Sequence, residues 1–182
     1  MAIEKITLGG GCFWCIENIF KRVKGVITAK SGYAAGDNTN PTYNDVCSGK
    51  TNHAEVVEIE FNPDEVSLDT ILTVFFTIHD PTTLNRQGYD QGSQYRSILL
   101  YRNEAQKNIC TNKIDELSTA DYLADKEENS IVTELKPFEQ FYSAESYHTD
   151  YVEKNPDNQY CQLVVAKKIQ KFLANFSHLL KD

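Results

Sequence analysis

The residues best suited to chemistry lie near the amino terminus, in the segment Gly10–Cys15, which reads GGCFWC. Glycines followed by a helical apolar pattern predict that Cys12 lies where a strand has ended and a helix begins. A thiol there faces unpaired backbone N–H groups and the positive end of the helix dipole, so we expect its pKa to be lowered. Cys12 is therefore a candidate nucleophile, with Phe13 and Trp14 as an apolar wall beside it. The alternative is that Cys12 packs as a small apolar residue.

The pair Cys12-x-x-Cys15 also has the spacing of a dithiol redox motif. Cys15 itself falls inside the predicted helix, where simple packing is the expectation. A zinc site would need four ligands, and the sequence has no second closely spaced pair of cysteines or histidines, so we expect no metal. The histidines are scattered, and we interpret most of them as surface or helix-capping residues: His53, His79, His148 and His178.

A second candidate is Glu55, which stands near the start of the otherwise apolar stretch Ala54–Val57. A carboxyl group inside an apolar pocket has a raised pKa and holds its proton at neutral pH, which is what a general acid requires. An exposed glutamate on an edge strand fits the same stretch of sequence equally well.

The segment His79–Ser97 carries more polar side chains than a connection between two elements needs. Ordered polar loops often hold a ligand as well as themselves, and we expect both here. Tyr95 in this segment and Tyr43 in an earlier loop are neutral donors able to hydrogen-bond a polarised oxygen. Because the chain has ten tyrosines, simple packing is the alternative for either one.

The elements that must position these residues follow from hydrophobic periodicity and turn residues. The first six run β-α-β-β-α-β, which is the order of the ferredoxin-like split unit. We therefore predict an α+β protein, a ferredoxin-like two-layer α/β sandwich with helices on one face of the sheet and a helical and irregular C-terminal extension. The predicted strands are 3–8, 26–33, 54–61, 95–101 and 131–135. The predicted helices are 12–23, 67–80, 104–117, 145–153 and 166–179, with Ser67 as the N-cap of the second, and 34–50 is a loop.

Composition places the chain among ordinary globular proteins. It has 182 residues, of which 41% are hydrophobic and 24% charged, so we expect one domain spanning residues 1–182. The net charge of −8 argues against a nucleic-acid or anionic-membrane surface. No signal peptide or long apolar run is apparent, so we expect the protein in the reducing cytoplasm, where all five cysteines begin as thiols. We also expect a monomer.

These motifs together resemble the peptide-methionine sulfoxide reductases of the A type. The likeness extends over roughly residues 6–165, and the motifs in this order are highly specific as a set. They are GCFW at 11–14, Gly32-Tyr33, Pro41-Thr42-Tyr43, HAEV at 53–56, DPTTLNRQG at 80–88, QYRS at 94–97, Asn155-Pro156 and Tyr160-Cys161.

The resemblance implies thiol-dependent reduction of the S epimer of methionine sulfoxide, free or in proteins, with thioredoxin as reductant and no bound cofactor. It implies that Cys12 attacks the sulfoxide sulfur, that Glu55 protonates the oxygen, and that Tyr43 and Tyr95 hydrogen-bond this oxygen.

Three further residues would hold the substrate. The resemblance implies that Phe13 and Trp14 bind the methyl group and that Asp90 lines the site through water.

Loss of methionine would leave the nucleophile as a sulfenic acid, which a second thiol converts to a disulfide. Cys161 is our first choice for this resolving cysteine, although Gln162–Val165 and a helix follow it where family members have a Gly-rich tail. Cys15 is the runner-up, for which we expect the helix to unwind in part. Cys47 is a third alternative. Cys110, on an amphipathic helix, is expected to be buried and inert.

Two other functions compete with this hypothesis. A thioredoxin-like dithiol oxidoreductase would use Cys12 and Cys15, but it leaves Glu55 and the polar 80–97 loop without a role. A non-catalytic peptide-binding domain would use the aromatic residues as a groove and predicts that Cys12→Ser keeps function.

Overall fold

The computed structural model describes residues 2–182 and shows a mixed α/β protein built around a six-stranded sheet. Its strands are β1 Glu4–Gly9, β2 Val26–Ala34, β3 Ala54–Phe61, β4 Arg86–Gln87, β5 Asp90–Gln91, β6 Ile98–Tyr101, β7 Glu134–Pro137 and β8 Phe141–Ser143. Its helices are α1 Phe13–Lys21, α2 Tyr43–Cys47, α3 Leu68–Ile78, α4 Glu104–Leu117, α5 Ala120–Leu123, α6 Tyr151–Lys154 and α7 Ala166–Phe176.

The sheet has the strand order β7-β6-β1-β3-β2-β8. All neighbouring strands are antiparallel except β6 and β7, which run parallel. The expected β-α-β-β-α-β order is present in β1, α1, β2, β3, α3 and β6, with α2 and the small β4–β5 hairpin inserted. The mixed α/β class is confirmed, whereas the ferredoxin-like label stays a prediction.

The C-terminal extension has one strand more than we expected, because the predicted strand 131–135 is present as β7, shifted towards the C-terminus, and β8 is additional. Two of its segments are strands that lengthen the sheet at both edges, β7 beside β6 and β8 beside β2. β8 makes β2 an interior strand. β3 is interior because it lies between β1 and β2, so Glu55, paired with Tyr33 of β2, is not on an edge. Sequence patterns did not predict β8 because it is three residues long and depends on pairing rather than on its own periodicity.

The main core lies between one face of the sheet and helices α1 and α3. Alternation along β1 and β3 puts Ile6, Leu8, Val57 and Ile59 on this face, where each is fully buried. Helix α3 begins where expected, because the Ser67 side chain accepts a hydrogen bond from the Thr70 N–H at 3.1 Å.

The main core also includes Phe172 of α7, in the C-terminal region. The C-terminal helix is thereby held against the body of the protein.

Several boundaries differ from the sequence prediction. Tyr95 lies in a short 3₁₀ turn rather than in a strand, and the 34–50 loop contains α2. The predicted 145–153 helix is a 3₁₀ turn over Ser146–His148 followed by α6. Within residues 2–182, no helix is both long and apolar enough to cross a membrane.

Candidate active site

Cys12 lies at the corner between β1 and α1. It is the N-cap residue of α1 with an extended backbone (φ −63°, ψ 128°), so it is one residue outside the helix that was expected to include it. Gly11 makes this corner with φ +88°, a conformation that side-chain-bearing residues rarely adopt. The Gly11 N–H donates to the Tyr95 carbonyl at 3.1 Å, which brings the polar 79–97 loop against the corner.

Glu55 lies directly beside the same corner. Its side chain is 1% exposed, and Oε1 accepts a hydrogen bond from the Phe13 backbone N–H at 3.2 Å. Burial raises the pKa of this carboxyl group to about 8, the Phe13 hydrogen bond opposes that rise, and nearby Asp90 and Cys15 add to it. The expected acid in an apolar pocket is thus present, and the edge-strand alternative is wrong.

Oε2 of Glu55 is buried and has no hydrogen-bond partner within residues 2–182. An unpaired buried oxygen of this kind costs free energy unless a ligand or a proton uses it. In the protonated acid, this oxygen can donate its proton to a group bound in the site.

Tyr43 and Tyr95 both approach this carboxyl group. Burial raises the pKa of each phenol, and the negative charge of Glu55 raises both further. Both hydroxyls therefore remain neutral O–H donors at physiological pH, as their expected role requires. Asp90 reaches the site from β5 and accepts a hydrogen bond from the hydroxyl of Tyr160.

Phe13 and Trp14 are arranged differently from each other. Phe13 is fully buried and packs on Tyr33 and Tyr43, with ring centroids 5.7 and 6.5 Å away. Trp14 is only partly buried and stacks on Tyr151 at 3.6 Å with an interplanar angle of 5°.

Two further residues of the C-terminal region also contact Trp14. Tyr160 meets the indole edge-on at 5.9 Å, and the indole N–H donates to Nδ1 of His148 at 2.9 Å. Trp14 is therefore surrounded by aromatic side chains from residues 148–160.

Three cysteines form one buried cluster. Cys12, Cys15 and Cys161 are 6%, 0% and 5% exposed and pack together with Val165. Cys47 lies outside it on α2, exposed. Cys110 is fully buried, as expected, and burial raises the pKa of its thiol to about 12.

The prediction of a depressed pKa for Cys12 is wrong for this structure. Burial raises the pKa of the Cys12 thiol well above its usual value, and Cys15 and Glu55 raise it further. The Trp14 backbone N–H lowers the pKa as expected, but desolvation outweighs it. Interaction with the Cys12 thiol instead lowers the pKa of Cys15, burial opposes this, and Lys168 assists it.

Three functional candidates were missed from sequence. Glu145 accepts hydrogen bonds from the Tyr33 hydroxyl and the Tyr43 backbone N–H, both at 2.9 Å, and so anchors the start of α2. Lys168 of α7 places its ammonium group over Gly11, about 3.2 Å from where a Cβ on that glycine would lie. His148 is the third. Nothing local in the sequence marks these residues, since they reach the site through the docking of the C-terminal region.

The interpretation of the histidines as surface or capping residues is wrong for His53 and His148, whereas His79 caps α3 as its C-cap residue. His53, His79 and His148 are 2%, 5% and 1% exposed. His79 is a structural residue, because its ring bonds the Phe75 carbonyl and the Ser97 hydroxyl and fills the space above Gly10. Residues 2–182 contain no group of three or more potential ligands arranged to hold a metal ion.

Comparison with known proteins decides the family. The family model for peptide methionine sulfoxide reductase matches residues 4–179. This chain belongs to that family. It is 52% identical over 179 residues to the peptide methionine sulfoxide reductase MsrA of Saccharolobus solfataricus, covering 98% of each protein. Members of the family are oxidoreductases that reduce methionine sulfoxide, and this chain is an enzyme of that class.

Solved structures agree with the family assignment. Methionine sulfoxide reductase A of Corynebacterium diphtheriae superposes with a TM-score of 0.79 at 35% identity, covering 85% of this chain and 76% of that one. Mxr1 of Saccharomyces cerevisiae in complex with Trx2 gives a TM-score of 0.55 at 25% identity, covering 82% and 84%.

Proposed function

We propose that this enzyme reduces the S epimer of methionine sulfoxide, free or in proteins, and that thioredoxin restores it, so that it repairs oxidised proteins. The observation that carries the proposal is the pairing of a thiol and a neutral acid at one corner. Cys12 lies at the start of α1, and the next residue, Phe13, is hydrogen-bonded through its backbone to the buried carboxyl of Glu55.

A sulfoxide oxygen leaves poorly unless it is protonated, so the reaction needs an acid that holds a proton at neutral pH. Glu55, with a pKa of about 8, meets this requirement, and its Oε2 has no other hydrogen-bond partner in the described chain. Tyr43 and Tyr95 would donate hydrogen bonds to the same oxygen and stabilise the charge that develops there.

The first chemical step, the attack of Cys12 on the sulfoxide, uses two thiols of the cysteine cluster. Cys15, whose pKa is lowered, is the thiolate of the pair, and it takes the proton of Cys12 as the Cys12 sulfur attacks the sulfoxide sulfur and Glu55 donates its proton to the oxygen. The sulfur–oxygen bond breaks, the hydroxyl group bonds to the Cys12 sulfur, and the new sulfur–sulfur bond breaks as methionine leaves with its electron pair, so Cys12 becomes a sulfenic acid. The proton held by Cys15 then returns to Glu55. Phe13 and Trp14 would hold the methyl group, and Asp90 would contribute through water.

A second thiol then attacks the Cys12 sulfenic acid, which forms a disulfide and releases water. We keep Cys161 as the resolving cysteine because its side chain packs in the same cluster. Its segment Cys161–Val165 is π-helical, a local irregularity that often marks functional positions.

Cys15 is a stronger alternative than the sequence suggested. Since Cys12 is outside the helix, a bond to Cys15 needs no helical turn to unwind. Cys47 is weaker, because it lies outside the cluster on α2.

Thioredoxin as reductant is supported by the likeness to Mxr1, which has been solved in complex with Trx2. All five cysteines are free, as a reducing cytoplasm would keep them. We further propose that the chain works as a single-domain monomer without a bound cofactor.

The test is thioredoxin-coupled NADPH oxidation with the separated S and R epimers of methionine sulfoxide. Turnover with the S epimer alone is the expected result. Turnover with the R epimer would overturn the stereochemical assignment. No turnover with either epimer, even with dithiothreitol as reductant, would overturn the function and favour a non-catalytic peptide-binding role.

A further inference from the structure

His148 is a buried histidine to which the proposed reaction gives no role. It is 1% exposed and lies in the 3₁₀ turn Ser146–His148, outside the β-α-β-β-α-β core. Its ring lies 5.0 Å from the Phe13 ring and 4.5 Å from the Tyr43 ring, between centroids. It therefore contacts the aromatic residues of the site, and its own side chain is almost completely covered.

The hydrogen bond from Trp14 fixes the chemical state of this ring. An indole N–H can only donate, so Nδ1 of His148 must be the unprotonated acceptor and Nε2 must carry the proton. A doubly protonated imidazolium has no acceptor and could not make this bond. Burial lowers the pKa of His148 and so favours the neutral form, whereas the carboxylates of Glu145 and Glu17 raise it.

The hydrogen bond to His148 restrains the rotation of the Trp14 indole within its own plane, which the other neighbours of Trp14 do not. Tyr151 stacks face to face on the indole, which fixes its plane but permits rotation and sliding within that plane. Tyr160 meets the ring only at an edge. The bond from Nε1 to His148 is directional, so it fixes which side of the indole faces Cys12.

We propose that His148 is a positioning residue that sets the in-plane orientation of Trp14 and thereby the shape of the apolar wall beside Cys12. The consequence for substrate rests on the proposed function, in which that wall holds the methyl group. The hydrogen bond itself does not depend on the reaction.

The single tryptophan gives a direct spectroscopic measurement, because the chain contributes only one indole N–H signal to a ¹⁵N–¹H spectrum. We expect this signal in the wild type at a hydrogen-bonded, slowly exchanging position. His148→Leu should move it towards the position of a free indole. His148→Asn, which can present an oxygen near the place of Nδ1, should restore much of the shift.

His178→Leu is the matched control, since His178 is exposed near the end of the chain and should leave the signal in place. The wild type provides a second measurement that needs no variant. On acidification the signal should move as His148 gains its second proton, at a pH below the ordinary histidine range. The groups facing this ring are Glu145, Glu17, Tyr43, Tyr147 and Tyr151.

Kinetics test the consequence for substrate. An apolar wall contacts the methyl group in both the ground and the transition state, so its loss should raise KM more than it lowers kcat. We expect His148→Leu to lower kcat/KM by about 10²-fold, the cost of a small misplacement, and His148→Asn to recover part of it.

An indole signal unchanged in His148→Leu would overturn the hydrogen bond. A displaced signal with unchanged kcat/KM would overturn the positioning role. A wild type that reduces neither epimer would overturn the proposed function, and the indole signal would still decide the hydrogen bond.

Discussion

The backbone N–H of Phe13 donates a hydrogen bond to Oε1 of Glu55 at 3.2 Å, across 42 positions of sequence. This bond joins the first residue of α1 to the buried carboxyl on β3. Since Cys12 precedes Phe13, the contact fixes the distance between the nucleophile and the acid through rigid backbone. Oε2 is left free for a ligand.

Replacing Glu55 by Gln removes the proton donor but keeps a polar side chain of the same size. We expect kcat to fall by about 10²–10⁴-fold, because the sulfoxide oxygen can no longer be protonated by a positioned acid. Steady-state assays with the S epimer measure this. Glu60→Gln, on the same strand and paired with Lys5, is the control and should keep its rate. An unchanged rate in Glu55→Gln would refute the acid role.

The raised pKa of Glu55 also makes a prediction about folding stability. Its folded pKa of about 8 exceeds the ordinary value of 4.5, so its contribution is complete below pH 4.5 and is lost as pH rises towards 8. The free energy of unfolding should fall in that window by up to about 1.4 kcal/mol per pH unit. Urea unfolding of wild type and Glu55→Gln across this range measures it, and the variant should lack this slope. Parallel curves would contradict the raised pKa.

Tyr43→Phe and Tyr95→Phe each remove one neutral donor near Glu55. Each should lower kcat by up to about 10²-fold, the usual cost of losing one preorganised donor to a developing charge. The double variant should lose less than the product of the two single losses if both donate to one oxygen. Tyr89→Phe is the control, because that side chain is fully exposed. Single variants with wild-type kcat would show that these phenols only pack.

The resolving cysteine can be identified from turnover and mass. Cys161→Ser should release one methionine per enzyme and then stop with thioredoxin, since the Cys12 sulfenic acid has lost its partner. Mass spectrometry after one turnover should find the Cys12–Cys161 disulfide in wild type. Cys47→Ser should cycle normally because Cys47 lies outside the cluster. Continued cycling by Cys161→Ser together with arrest of Cys15→Ser would move the role to Cys15.

Lys168 should stabilise the thiolate form of Cys15. Its ammonium group helps to lower the pKa of Cys15, so Lys168→Met should raise that pKa. The measurement is the pH dependence of Cys15 alkylation, followed by peptide mass, and the curve should move to higher pH. Lys167→Met, one residue away and exposed, should leave the curve in place. Equal curves for wild type and Lys168→Met would rule out this electrostatic role.

The sequence predicted the local features that depend on nearby residues. The boundaries of β3 and α4 and the capping of α3 by Ser67 agree with the structure because periodicity and capping are local properties. The placement of Cys12 beside a glycine corner was also predictable, since only glycine adopts the backbone of Gly11 easily.

The sequence was less informative wherever docking of distant segments decides the outcome. His148, Glu145 and Lys168 reach the site from more than 85 positions beyond Glu55 in the chain, and no local pattern distinguishes them from surface residues. The strand β8 likewise exists only because it pairs with β2.

The sequence by itself therefore determined the reactive groups, a thiol at a helix start and an acid in an apolar strand. Only the tertiary structure decided their protonation. Burial depends on what packs around a group, so it raised the pKa of Cys12 where the helix end alone predicted a lower value. For Glu55, β2 on one side and the Cys12 corner on the other exclude water, and this desolvation makes the carboxyl group a neutral acid.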